Sequence, residues 1–387
     1  MSAGFSRAGM AALHETCLAA IGPDRVPGLV AVVAHGEETH VEVLGDQDIG
    51  GPPMRRDTRF RISSVTKPIT ATATLALIDA GLLALDEPVD RMLPELADRR
   101  VLVRPDGPLD ETVPAHRAIT VRDLLTFTFG FGMALEMFAS PVPWPVVEAA
   151  DRLHLSTIGP PEPDVPPEPD TWIAGLGGLP LMAQPGERWL YNTGAQVLGV
   201  LLARAGGHSL GDVLRERLFE PLEMRDTGFW TTETDRLASA YMPTPDGLVL
   251  HDPPDGAWSQ PPRFEDAAAG LLSTADDLLA FARMLLGGGR GVVSTAAVRA
   301  MTSDQLTAAQ KAQGGLGPDF FGGRSWGFGQ AVYDSGAFGW DGGFGTSWLV
   351  EPRDDLIVIV MTQRLFESPE IPALHRAIRA AAHAAIR

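Results

Sequence analysis

The spacing of apolar residues changes twice along the chain. Residues 1–22 carry apolar side chains at helical intervals, and the β-branched run from Val26 to Gly36 follows. His40 to Asp48 then alternates at hairpin distance from that run, the pattern of two paired strands. Thr58 to Ser64 alternates again and passes directly into SVTKPITATATLALIDAG, whose small and apolar residues recur at helical spacing as far as Gly81. From Leu82 to about Gly288 helical patterns and long connections dominate. Ile119–Gly132 opens on Thr120 as a predicted N-cap; Gly194–Gly207, His208–Leu222 and Ser273–Gly289 read as further helices, several closed by glycine, the expected stop signal. Strand patterns return at Ser325–Asp334, Gly345–Pro352 and Asp355–Gln363, before a last helix from Pro372. The order predicts an α+β chain: residues 1–81 and 289–387 build one sheet-containing domain from both termini, and 82–288 form an inserted, mostly helical domain. No internal repeat is visible. A proline-rich excursion is expected at about 135–175; Gly159–Asp170 holds six prolines in twelve residues, too many for a helix interior, and reads as a surface loop or a rim over a site.

Composition narrows the function classes. The 387 residues carry 49 acidic against 31 basic side chains, a net charge of −18, which disfavours nucleic acid or anionic membrane as a partner. The single cysteine, Cys17, excludes an internal disulfide framework and a cysteine-rich metal site. Arg7, His14 and Glu15 interrupt the apolar residues of the N-terminus, so it reads as an amphipathic helix rather than a secretory signal, and a cytoplasmic location is the expectation. No stretch approaches the roughly 18 apolar residues of a membrane span.

Among 31 lysines and arginines, lysine occurs only at Lys67 and Lys311, and tyrosine only at Tyr191, Tyr241 and Tyr333. Codon bias accounts for scarce lysine, but a lysine, unlike an arginine, can be tuned by burial to act as a base. Neither a G-x-S-x-G elbow nor H-E-x-x-H is present, and the nine histidines show no metal-ligand spacing. Ser64-Val65-Thr66-Lys67 remains. On a helix, residues three apart share a face, so the Lys67 amine would sit one turn from the Ser64 hydroxyl at the positive end of the helix dipole. A desolvated neutral lysine can take the proton of a serine nucleophile; the alternative is a capping serine beside a surface lysine.

RISSVTKPITATATLALIDAG resembles the nucleophile segment of the serine β-lactamase and penicillin-binding-protein superfamily, closest to the class C-like branch that includes family VIII carboxylesterases. ITVRDLLTFTFGFG, PGERWLYNTG, AAAGLLSTADDLLAFARMLLGGG and FGWDGGFGTSWLVEP are similar to later landmarks of that branch, in order, over about residues 26–362. The resemblance implies an antiparallel sheet flanked by helices with a helical insertion. It implies Ser64 as the acylated nucleophile, Lys67 as its base and Tyr191 as a proton relay, a tyrosinate beside Lys67⁺. The backbone N–H groups of Ser64 and Gly343 would form the oxyanion hole. Thr193 stands where the family's Y-x-N motif has asparagine, with Asn192 one residue early, and Trp340-Asp341-Gly342 stands where lactamases have K-T-G. Both departures disfavour β-lactams and favour uncharged esters. Trp340, Asp341, Gly342 and Asn192 are the expected substrate contacts, with Phe127 and Phe129 lining an acyl or alcohol pocket. The implied activity is hydrolysis of small to medium esters, a small-molecule substrate, with no metal or organic cofactor. Amide, peptide or β-lactam hydrolysis, acyl transfer, and a catalytically silent sensor are the alternatives.

Overall fold

In the computed structural model, residues 4–317 and 319–386 are described. The hairpin read from the N-terminal alternation forms Gly28–His35 and Glu38–Gly45, joined through Gly36 at φ +57°. A two-residue turn needs that left-handed position if its twist is to match the strands. Leu356–Thr362 pairs with the other edge of Gly28–His35, followed by Thr346–Glu351, Phe338–Gly342, Ala331–Tyr333 and Arg324–Trp326, all antiparallel. One seven-stranded sheet is thus built from the two ends of the chain.

Every residue of Leu356–Thr362 is buried, because both faces of the sheet are covered and alternate side chains enter different layers. Leu356, Val358 and Val360 join Leu13, Cys17, Ile378 and Ala382 on one face, where the helices Arg7–Leu18 and Ala373–Ala385 lie together. The Ser6 amide donates to the Ala385 carbonyl at 2.7 Å. Ile357, Ile359 and Met361 face the main core. There the helix Ala275–Leu286 lies against the sheet, with Phe281 edge-on to Trp348 at 5.4 Å. That helix falls within residues 82–288, the span that the sequence pattern assigns to the insertion. In space it belongs to the sheet, because Leu278, Phe281, Ala282 and Leu285 form the apolar face that covers it.

Thr66–Asp79 runs through the centre, buried from Thr66 to Leu77, against Thr193–Gly206, Leu210–Leu214 and Thr295–Met301. A helix surrounded on all sides needs small residues and satisfied hydroxyls. Thr70 accordingly donates to the Ala267 carbonyl, Thr72 to Pro68 and Thr74 to Thr70, at 2.8–3.0 Å.

Three local expectations shift. Thr120 caps its helix with a full capping box, but the helix ends at Leu125, and Thr126–Gly132 threads the interior as irregular chain. Gly132, at φ +151°, leaves a Cβ only 2.5 Å from the Tyr191 carbonyl, so no larger residue fits. Ser325–Asp334 divides into two short strands. At Gly329 (φ +71°) the chain turns against the Lys67 carbonyl, 2.8 Å from where a Cβ would stand. The excursion at 135–175 contains the helices Leu135–Ala139 and Pro145–Arg152 and the start of Pro169–Gly178, while Gly159–Glu168 is irregular. Among the described residues no single helix is long and apolar enough to cross a membrane.

Ile378, fully buried between the terminal helices and the sheet, should cost about 2–5 kcal/mol of unfolding free energy when cut to alanine. Urea denaturation of Ile378→Ala against wild type measures this; a change under about 0.5 kcal/mol would mean the terminal helices are not held by that layer.

Candidate active site

The chain enters the central helix through a clamped and strained corner. Ile62 donates its N–H to the Leu271 carbonyl at 2.9 Å, and its own carbonyl accepts from Thr346 Oγ1 at 2.9 Å. Ser63 then takes φ +45°, a left-handed conformation that costs a non-glycine residue on the order of 1–3 kcal/mol. The turn Ser63–Val65 follows, and Ser64 stands half-exposed at the start of the helix. One turn on, the Lys67 side chain is only 1% exposed. Its Nζ lies 3.0 Å from Ser64 Oγ and donates to the Ala268 carbonyl at 2.8 Å. Burial pulls the ammonium down to about 7, opposed by the Asp266 carboxylate; Asp266 is itself pushed up by burial while accepting from the Ala268 N–H at 2.8 Å. An amine that is neutral near pH 7 has a lone pair for the serine proton.

Tyr191 is fixed from both sides. Its N–H and carbonyl pair with Met133 at 3.0 and 2.8 Å. The next residue, Asn192, sits at φ +81°, ψ −67°, with the Thr193 N–H on the Tyr191 carbonyl at 3.2 Å, a γ-turn of the rare, strained kind. The phenol oxygen accepts from Trp340 Nε1 at 2.8 Å, and the Ser64 hydroxyl beside it favours its ionised form. Lys67 Nζ lies 4.5 Å from the centre of the phenol ring. Burial raises the Tyr191 phenol above its ordinary value and lowers the Lys67 ammonium, so it works against charge on either group. The tyrosinate beside Lys67⁺ that the resemblance implies would have to form against that burial.

Ser64, Tyr191, Asn192, Trp340, Asp341 and Gly343 line one cleft of about 780 Å³. A trans peptide points its carbonyl and N–H in opposite directions. The Gly342 carbonyl accepts from Gly345 at 2.9 Å, so the Gly343 N–H is aimed away from that turn. The Ser63 carbonyl likewise accepts from the Thr66 N–H, which turns the Ser64 N–H the other way. Two backbone donors and a serine oxygen at one cleft wall can hold an acyl carbonyl and attack it.

Other expected contacts fall elsewhere. Phe127 and Phe129 are fully buried and do not line the cleft. Gly130 and Gly132 let their loop thread the interior rather than the surface. Phe127 instead backs Tyr191 at 5.9 Å within a cluster that includes Trp189, Trp326 and Trp340. Gly342 is absent from the cleft lining; a Cβ there would stand 2.1 Å from the Ile62 carbonyl, so it serves the close approach of strand to nucleophile turn. Thr193 is buried at the helix start, while Asn192 turns its Nδ2 toward the Thr157 carbonyl at 3.5 Å. Asp341 lines the cleft with its carboxylate taken by Arg379 at 2.6 Å. Of the proline-rich segment, Gly159, Pro160 and Pro161 form part of the cleft wall. Asp266 and the rim residues Phe138 and Met242 were not foreseen; nothing in their local sequence marks them. Outside the cleft, Glu351, Asp354 and His383 come together, but the two ring nitrogens face one carboxylate each, at 3.2 and 3.1 Å, the geometry of an ion-paired histidine rather than of one metal ligand.

The chain is similar to known proteins over nearly its whole length. A family model described as Beta-lactamase matches residues 15–383. An uncharacterised protein of Mycobacterium tuberculosis is 38% identical over 91% of this chain and 88% of its own length. The esterase EstB of Burkholderia gladioli is 33% identical over 93% of this chain and 91% of its own. Among solved structures, EstCE1, a hydrolase with promiscuous acyltransferase activity, superposes with a TM-score of 0.80 at 25% identity, covering 97% of this chain and 99% of that one.

If Lys67 takes the serine proton, the rate at which Ser64 is phosphonylated by a p-nitrophenyl phosphonate should rise with pH and level off above about 7, where the amine is neutral. Below that it should fall about tenfold per pH unit. Stopped-flow release of p-nitrophenol measures the profile; a midpoint near the ordinary lysine value would show that burial does not tune this amine.

Proposed function

The chain belongs to the Beta-lactamase family, and we propose that within it the cleft hydrolyses carboxylic esters through an acyl-enzyme on Ser64. The protein is an enzyme, a serine hydrolase of the esterase kind. The observation that carries the residue roles is the buried Lys67 amine at 3.0 Å from Ser64 Oγ. Lys67 accepts the serine proton as Oγ bonds to the ester carbonyl carbon. The Ser64 and Gly343 N–H groups hold the oxygen as it becomes negative; one such donor is worth about 3 kcal/mol. When the carbon–oxygen bond to the alcohol breaks, the proton passes from Lys67 by way of the Tyr191 hydroxyl to the leaving alkoxide. Water, deprotonated by the same pair, then attacks the acyl carbon and releases the acid and the free serine.

Trp340 supports esters over β-lactams. Its indole presents an apolar face and spends its N–H on Tyr191, leaving no cation at that wall for a carboxylate next to the reacting bond. Asn192 turns its amide nitrogen toward the Thr157 carbonyl, which supports the same preference. A second reading, transfer of the acyl group to an alcohol other than water, is favoured by the size of the cleft and by EstCE1's acyltransferase activity. Only the final nucleophile differs between the two.

On p-nitrophenyl acetate through octanoate, Ser64→Ala should fall to background. Lys67→Met should lose on the order of 10²–10⁴ in kcat/KM while remaining folded. Nitrocefin turnover should be far slower than ester turnover. Ester hydrolysis surviving in Ser64→Ala would remove the nucleophile assignment. Butyl ester formed when butanol is added would establish acyl transfer.

A further inference from the structure

Charges along the cleft wall do not balance locally. Three acids line it, and each has a neighbouring cation. Asp341 is paired with Arg379 at 2.6 Å and Glu367 with Arg364 at 3.1 Å, while Asp266 lies buried in the field of Lys67. The lining has one arginine and no lysine: Arg324, at the start of the outermost strand. Its Nε donates to the Phe320 carbonyl, and its guanidinium lies over the Phe320 ring at 4.1 Å. Among the described residues no carboxylate comes within ion-pair distance of it, and its two terminal nitrogens have no hydrogen-bond partner. Yet the side chain is held rather than free, because Phe320 packs edge-on against Trp340 at 6.4 Å and beside Trp189 at 5.2 Å. The aromatic cluster behind Tyr191 therefore extends into a shelf that fixes a guanidinium on the cleft wall beyond Trp340.

We propose that Arg324 is a specificity residue that binds a carboxylate on the substrate, remote from the ester being cleaved. This rests on the esterase reading and names its substrate class: an amphiphilic ester acid with an apolar body between the two groups. Arg324 lies two strands from Trp340, roughly 10 Å across the sheet. Ile158, Pro160, Leu316, Trp340 and Phe344 supply apolar wall to the cleft. The two terminal NH2 groups form the planar fork that matches a carboxylate in bidentate fashion. Near the nucleophile the wall is the Trp340 indole, which offers no charge. A substrate with its anion next to the ester is disfavoured there, and one with its anion beyond the indole, at the guanidinium, is bound.

The test uses matched pairs: p-nitrophenyl suberate against its methyl-capped form, and 4-acetoxybenzoate against methyl 4-acetoxybenzoate, which place the acid on the acyl or on the alcohol side. In wild type one pair should favour the free acid by about tenfold or more in kcat/KM, mainly through KM, and the preference should shrink with added salt because the site is open to solvent. Arg324→Gln should bring the acid-to-neutral ratio to one or below, and Arg324→Lys should restore part of it. A wild-type ratio of one or less in both pairs, or an unchanged ratio in Arg324→Gln, overturns the proposal. Hydrolysis of the methyl-capped esters and its loss in Ser64→Ala reads the esterase assignment separately. Calorimetric binding of the same intact esters to Ser64→Ala, with and without Arg324→Gln, reads the carboxylate preference even where turnover fails.

Discussion

An amine enclosed at 1% exposure keeps a proton only at the cost of leaving water, and the site depends on that cost at Lys67. The helix that carries it is buried along almost its full length, so the amine is shielded from bulk solvent. The Ala268 carbonyl anchors one N–H, the Tyr191 ring covers a side, and Ser64 Oγ is the remaining neighbour with a proton to give. Asp266 moderates the effect: as an anion it supports the ammonium, but its own burial opposes that charge. The result is a base set near neutrality by its surroundings, with no histidine involved.

Strain is concentrated beside the same groups. Ser63 and Asn192, both left-handed, immediately precede Ser64 and follow Tyr191. Each is held by backbone hydrogen bonds on its flanks: Ile62 to Leu271 on one side, Tyr191 to Met133 on the other. The corners aim the serine and the phenol at one point, and the packed surroundings prevent either from relaxing.

How much of this the sequence discloses depends on how far apart the interacting residues are. The pairing of Ser64 with Lys67 is legible because three residues on a helix fix it, and Tyr191 because its motif register does. The strands of both termini show through their alternation. Phe127 and Phe129 mislead: a glycine-rich aromatic stretch looks like a pocket loop, and only the contacts of Gly130 with Ala183 and of Gly132 with Tyr191 reveal an interior segment. Gly342 reads as a substrate-binding turn but is small for the sake of Ile62, some 280 residues earlier. Ala275–Leu286 has a clear apolar face, and no local rule says which surface it covers. The same holds for Asp266 and Arg324, whose meaning lies wholly in what the fold brings near them.

Because Gly28–His35 pairs directly with Leu356–Thr362, the sheet cannot close until both ends of the chain are present. The nucleophile and its base lie in the first fifth of the sequence, whereas Trp340 and Gly343 lie in the last. Contacts of such long sequence separation form late and slowly. During synthesis, then, an emerging chain carries Ser64 and Lys67 for most of its length without the strand that completes their cleft. The topology thus ties the completed cleft to the meeting of the two ends of the chain.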